Sequence, residues 1–211
     1  MRLFWPVLLA VLILAGGIRF FALGLEDYWL DELHSMANSA GRRDEFENLS
    51  YGVILPHVDH ATDLTERSTA AAVWRTLRHD SHPPVYFWLL LGWRRLFGDG
   101  EAAVRALPVV FSILSIIPVA LVFRQWGKPM VGLCAALFLA LAFTHIQMAQ
   151  ENRPYSLSIL LVSCGWYSLS RVELWARDEP VDQQTPLGAV LPPGGATRTW
   201  PCTAFASISP C

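Results

Sequence analysis

Charge is scarce in this chain. Only 16% of its 211 residues are charged and the formal net charge is −2, whereas a soluble domain usually carries about 25% charged residues. The deficit argues against a soluble domain. Without a general basic field, nucleic acid is excluded as a partner, and anionic lipid would have to be met by local patches. Cysteine is scarce as well. Cys134 and Cys164 lie in apolar runs and Cys202 and Cys211 near the C-terminus, with no Cys-x-x-Cys pair to suggest a metal or redox site, so all four are read as unpaired. Apolar residues are what the chain has in excess. They make up 53% of the sequence and mean hydropathy is +0.35, which places it in the integral membrane class.

A spanning helix needs roughly 20 mostly apolar residues. Four runs are read as spans, at 3–25, 106–123, 130–148 and 155–169, the last being the shortest. A fifth run, 83–97, ends in Arg94 and Arg95 and is expected to lie along the membrane as an interfacial helix. Lys and Arg favour the cytoplasmic side in short loops. Four spans put Arg2, Arg124, Lys128, Arg171 and Arg177 inside, so the N- and C-termini are both expected in the cytoplasm. Arg94 and Arg95 do not fit. Counting 83–97 as a span would internalise them but would externalise Arg124 and Lys128.

Arg2, the apolar core and Ala22-Leu23-Gly24 also fit a secretory signal peptide with its cleavage site. Against this, the run is long for such a segment and Arg19 stands where cleavage signals are normally neutral. An uncleaved anchor is expected, with Arg19 snorkelling to the outer interface.

This topology gathers Asp31, Glu32, His82, Arg105 and the polar run Gln150-Glu151-Asn152-Arg153 on the extracytoplasmic side. Two adjacent carboxylates directly after a span are costly near hydrocarbon, so they point to chemistry or binding at the bilayer surface. The competing reading is that they only cap an interfacial helix. The loop 26–105 is too long for a simple turn, and Val73, Trp74 and Leu77 stand at helical offsets, which predicts short amphipathic helices over the site.

Four stretches then carry a resemblance: Leu30-Asp31-Glu32, His82-Pro83-Pro84-Val85-Tyr86, Phe97-Gly98-Asp99-Gly100-Glu101-Ala102-Ala103-Val104-Arg105, and Gln150-Glu151-Asn152-Arg153-Pro154-Tyr155. In order and spacing they resemble the amino-terminal part of the family-39-like glycosyltransferases. That group, in the GT-C superfamily, includes the protein O-mannosyltransferases, the aminoarabinose transferases and the lipopolysaccharide galacturonosyltransferases. The resemblance covers residues 1–175. It implies an all-α integral membrane fold, a GT-C-like amino-terminal transmembrane helix bundle with a helical extracytoplasmic loop. It also implies a multi-pass protein of the bacterial inner membrane that works on the cell envelope. Such enzymes transfer a sugar from a polyprenyl-phosphate-linked donor to a lipid, glycan or protein acceptor, usually with inversion.

Inverting transfer needs a base for the acceptor proton as an oxocarbenium-like centre forms. In the resembling families the acidic pair after the first helix is the catalytic element, which implies Asp31 as base with Glu32 as its neighbour. The lipid phosphate leaves with negative charge, and guanidinium geometry matches its oxygens, so Arg105 and Arg153 are the expected phosphate contacts. Each could instead be an anchor reaching for headgroups. His82 is an auxiliary group whose backbone Pro83 and Pro84 bias away from helix, and Glu151 is a second auxiliary.

A divalent metal held by His57, His60, His79, Asp59 and Asp80 is conceivable in chemical terms, but their spacing matches no established ligand pattern. Ser112, Ser115, Ser156, Ser158 and Ser163 lie inside apolar helices, where hydroxyls usually bond neighbouring backbone, so no serine nucleophile is expected. His145 is read as packed near a span end. From 176 to 211 the sequence turns Pro- and Gly-rich without apolar periodicity and is expected to be irregular, an unrelated tail after a frameshift or premature stop. Two other classes compete with the enzyme: a non-catalytic membrane partner or inactive fragment, and a small transporter. Transport ranks last, because the three later spans carry almost no ionisable groups at mid-bilayer.

Overall fold

The computed structural model describes residues 3–25, 27–47, 60–79 and 82–178. The tail from 179 on, Cys202, Cys211, His57, Asp59, Asp80 and the His79 side chain lie outside the described residues. Among those described, every regular element is helical. Met1–Val172 is one compact unit.

Helix α1, Phe4–Phe20, is apolar on nearly all sides but buries one stripe, Phe4, Leu8, Val11, Ala15 and Arg19. Steps of four and three residues keep these side chains on one face. That face meets α6, Glu101–Gln125, and α7, Pro129–Leu141, through Ile116, Ala120, Leu133, Ala136 and Ala140. Small residues let the backbones close in. At Gly132 a Cβ would come within 2.5 Å of the Ala120 carbonyl oxygen, so only glycine fits there.

The expected run 3–25 is helical only as far as Phe20. Beyond it the chain turns, with Ala22 at φ 60°, and delivers Leu23 back onto the bundle. The run 130–148 is not one rod either. It breaks into α7 and α8, Phe143–Gln150, with a 55° bend at Ala142. Among the described residues α6 alone is long and apolar enough to cross a membrane, and α7 with α8 pass the same test together if the bent pair is one span. Helix α1 falls just short in length, and α9, Tyr155–Asp178, carries Arg171, Glu173, Arg177 and Asp178 in its second half.

The described parts of the long loop carry four α-helices. They are α2, Leu30–Ala40, α3, Arg43–Glu47, α4, Ala70–Thr76, and α5, Val85–Phe97. Helix α4 sits where Val73 and Trp74 suggested, with Val73 and the following Leu77 buried and Trp74 exposed. Helices α2, α4 and α5 share a second core with α6 and α9, built on Met36, Val73, Tyr86, Leu90, Leu107 and Leu157. Gly41 ends α2 at φ 70°, and a Cβ there would lie 2.6 Å from that of Ala72, so glycine meets both the left-handed turn and the close approach of α4.

The two misfit arginines find their explanation in packing. Arg94 is buried and donates to the Asp99 carboxylate (2.5 Å), the Ser39 hydroxyl (2.7 Å) and the carbonyls of Met36 (3.0 Å) and Thr62 (2.5 Å). Arg95 donates to the Ser68 carbonyl. Both cations are used up in tying α2 and the 60–68 segment to α5, so they carry no topological signal.

Arg19 corrects the snorkelling expectation. It has 0% exposure. Its guanidinium donates to the carbonyls of Ala140 (3.0 Å) and Leu139 (3.1 Å), bonds Ser112 Oγ at 2.9 Å and meets His145 Nδ1 at 2.8 Å. The break at Ala142 leaves the last carbonyls of α7 without helical partners, and Arg19 supplies the donors as a cation at a helix C-terminus. His145 is buried beside it, also within reach of Ser115 Oγ (3.3 Å). The serines of α9 bond backbone as expected: Ser156 donates to Met148, Ser158 to Pro154 and Ser163 to Ile159.

Candidate functional site

The site forms where α2 begins. Glu32 and Asp31 occupy its first turn, where carboxylates are favoured by the helix dipole. Adjacent positions on a helix point some 100° apart, so the pair cannot share one environment. Glu32 turns inward and is 1% exposed. Its two oxygens accept a forked pair of bonds from Arg105, Nε to Oε1 at 2.9 Å and Nη2 to Oε2 at 2.7 Å, and Oε1 also accepts from the Asn152 backbone N–H at 2.8 Å. Arg105 adds bonds to the carbonyls of Leu23 and Asp27, both 3.2 Å, and lies 5.3 Å from the centre of the Tyr28 ring. Burying a charge demands this completeness of pairing. The clamp ties together α1's exit, α2, the head of α6 and the turn after α8.

Asn152 extends the network. Its side-chain oxygen accepts from the buried Tyr86 hydroxyl at 2.7 Å. Burial pushes the Tyr86 phenol up from its ordinary pKa, and the charge of Glu32 adds to the shift. Tyr28, half-buried against Arg105, is pushed up to about 12, chiefly by burial and against the pull of Arg105.

Asp31 faces outward, its side chain 40% exposed, and forms an ion pair with Arg153. Arg153 in turn donates to the Tyr155 hydroxyl at 2.9 Å and lies 5.2 Å from that ring's centre.

Two cavities flank the α2 terminus. The larger, about 450 Å³, is lined by Asp27, Trp29, Glu32, Arg105, Gln150 and Glu151 among others. The smaller, about 110 Å³, is lined by Asp31, His34, Asn38, Arg43, His82 and Arg153 among others. All six residues singled out in the sequence thus line one cavity or the other: Glu32, Arg105 and Glu151 the first, Asp31, His82 and Arg153 the second. Burial, and behind it the charge of Glu32, raises Glu151 above its ordinary pKa. His34, Asn38 and Arg43 were missed. The first two stand three and seven residues after Asp31, a helical repeat that could have flagged them. Asn38 is buried with its Oδ1 lacking a hydrogen-bond partner. Among the described residues no group of three or more His, Cys, Asp or Glu is placed to hold a metal ion.

The two cavities lie near the head of α6, the one helix among the described residues that is by itself long and apolar enough to cross a membrane. Residues 81–179 match the family model described as dolichyl-phosphate-mannose-protein mannosyltransferase. The match takes in α5 to α9 with His82, Arg105, Glu151 and Arg153; Asp31 and Glu32 precede it. No curated protein and no solved structure matches the chain.

Proposed function

We propose that this chain carries the amino-terminal module of a membrane glycosyltransferase, a GT-C-like helix bundle that moves a sugar from a polyprenyl-phosphate-linked donor to an extracytoplasmic acceptor. One observation carries the reading. The acidic pair is divided, with Glu32 locked by Arg105 and Asn152 while Asp31 is left facing a cavity lined by imidazoles and guanidinium groups.

The division suits inverting transfer. Asp31 takes the proton of the acceptor hydroxyl as its oxygen bonds to the anomeric carbon; the bond from that carbon to the donor phosphate oxygen breaks, and the lipid phosphate departs as an anion. Arg153 meets that anion, releasing Asp31 from their ion pair as it does so, and His82 stands beside it. Glu32 holds the α2 terminus in place and takes no part in proton transfer. Arg105 acts as its clamp and reaches the departing phosphate only from the larger cavity's wall. On the four-span reading of the sequence, with both termini cytoplasmic, this site lies on the outer face, and the printed activity of the matched family supports a mannosyl-type donor.

The test is reconstitution. Proteoliposomes holding the full chain are given polyprenyl-phosphate mannose and a serine- or threonine-bearing peptide, and release of free polyprenyl phosphate is followed. Consumption of donor above that of empty liposomes is the expected result. A donor left intact across peptide, glycan and lipid acceptors would sink the reading.

A further inference from the structure

A different cavity lies at the opposite end of α1 from the acidic site. A groove of about 280 Å³ runs between α1 and the start of α7, walled by Leu3, Phe4, Val7, Val11, Met130 and Leu137 among other residues. Water gains little in such an apolar trough. Its mouth, by contrast, is basic and aromatic. The Arg124 guanidinium lies over the rings of Phe4 (5.0 Å) and Trp5 (4.5 Å), and Lys128, at the N-cap of α7, directly precedes Pro129 and Met130 in the groove wall. Trp5 is exposed there, and Trp126, two residues before Lys128, is exposed as well.

Tryptophans beside Lys and Arg at the ends of apolar helices mark headgroup depth. From that level the groove follows α1 inward from Leu3 to Val11, a rise of about 12 Å into a hydrocarbon core about 30 Å thick. An occupant must therefore be an apolar rod with an anionic head at its outer end.

We propose that the groove holds one acyl chain of an anionic phospholipid, with the lipid phosphate between Arg124 and Lys128. Charge complementarity selects this occupant over a zwitterionic lipid, which fills the trough equally well but brings a choline cation beside its phosphate and so has no net charge to offer Arg124 and Lys128. The proposal rests on the membrane reading alone; it is independent of the chemistry at Asp31 and fails separately from it.

The experiment is native mass spectrometry on the full chain in detergent, titrated with phosphatidylglycerol or with phosphatidylcholine of identical acyl chains. Two interfacial cations predict a preference for phosphatidylglycerol on the order of thirtyfold. The double variant Arg124→Gln/Lys128→Gln should bring the two lipids to parity. Leu137→Trp fills the groove from an exposed position, and should weaken both lipids at least about tenfold with the cations untouched. Equal binding of the two lipids by the unaltered chain, or a preference that survives removal of both cations, overturns the proposal. So does a Leu137→Trp variant that binds as before, or one whose only change is loss of a dimer, which would make the groove a contact between copies.

Discussion

Breaking the Glu32–Arg105 clamp is the sharpest structural perturbation. Replacing Arg105 with Met keeps the length and apolar stem of the side chain but removes the forked bonds of 2.9 and 2.7 Å and the two carbonyl contacts at 3.2 Å. Glu32, 1% exposed, then holds a charge with only the Asn152 N–H left on it. Removing one partner of a buried pair costs about 3–5 kcal/mol. For a chain of this size each kcal/mol is worth about 2–4 °C in midpoint, so the variant should melt about 6–20 °C lower. Glu32→Gln leaves Arg105 as the buried charge and should cost a similar amount. The double variant should be far less damaged than the two losses summed, because no isolated charge remains; thermal melts of the four proteins in one detergent give that coupling directly. Single variants within about 1 kcal/mol of the parent, or losses that simply add, would show that the pair does not organise the site.

Arg19→Leu should strip the C-terminus of α7 of its donors, at about 1–3 kcal/mol for each carbonyl left unpaired, with Arg19→Lys recovering part of the loss; a melt of Arg19→Leu equal to the parent's would refute the capping role. Gly41→Ala should destabilise by at least about 1–2 kcal/mol from the left-handed backbone alone, before the close approach to Ala72 is counted; a neutral result in chemical denaturation would mean that α2 and α4 can separate there. Tyr28 should titrate near 12 by ultraviolet absorbance, two units above an exposed phenol. Because that pKa is raised by folding, the stabilisation is complete below the unfolded value of about 10 and is lost as pH rises through the folded one. Ionisation at the ordinary value would place Tyr28 in solvent.

Apolar runs made α6, α5 and the start of α9 legible, since a stretch such as 106–123 has no other stable state. The break at Ala142 was not legible, because neither proline nor glycine stands there; Arg19 stabilises it from more than 120 positions away in sequence. Arg19 was misread, and Arg94 left as a misfit, for the same reason. Sequence shows a cation near a helix end but not the carbonyls that fold against it. At the site, the acidic pair and its basic partners could be singled out by type, whereas which carboxylate is buried depends on the Asn152 backbone N–H and the angle between successive helical positions. The residues His34, Asn38 and Arg43 enter only once α2 is known to end at Gly41 and to face Arg153 across a cavity.

The most direct measurement is a single-turnover comparison of the native chain with Asp31→Asn, each preloaded with polyprenyl-phosphate mannose in proteoliposomes, following release of polyprenyl phosphate after acceptor is added. The half-exposed Asp31 contributes little to stability, so the variant should fold and bind donor while its transfer rate falls by about 10²–10⁴-fold. Transfer by Asp31→Asn at the native rate would remove Asp31 as the base and with it the reading of this site.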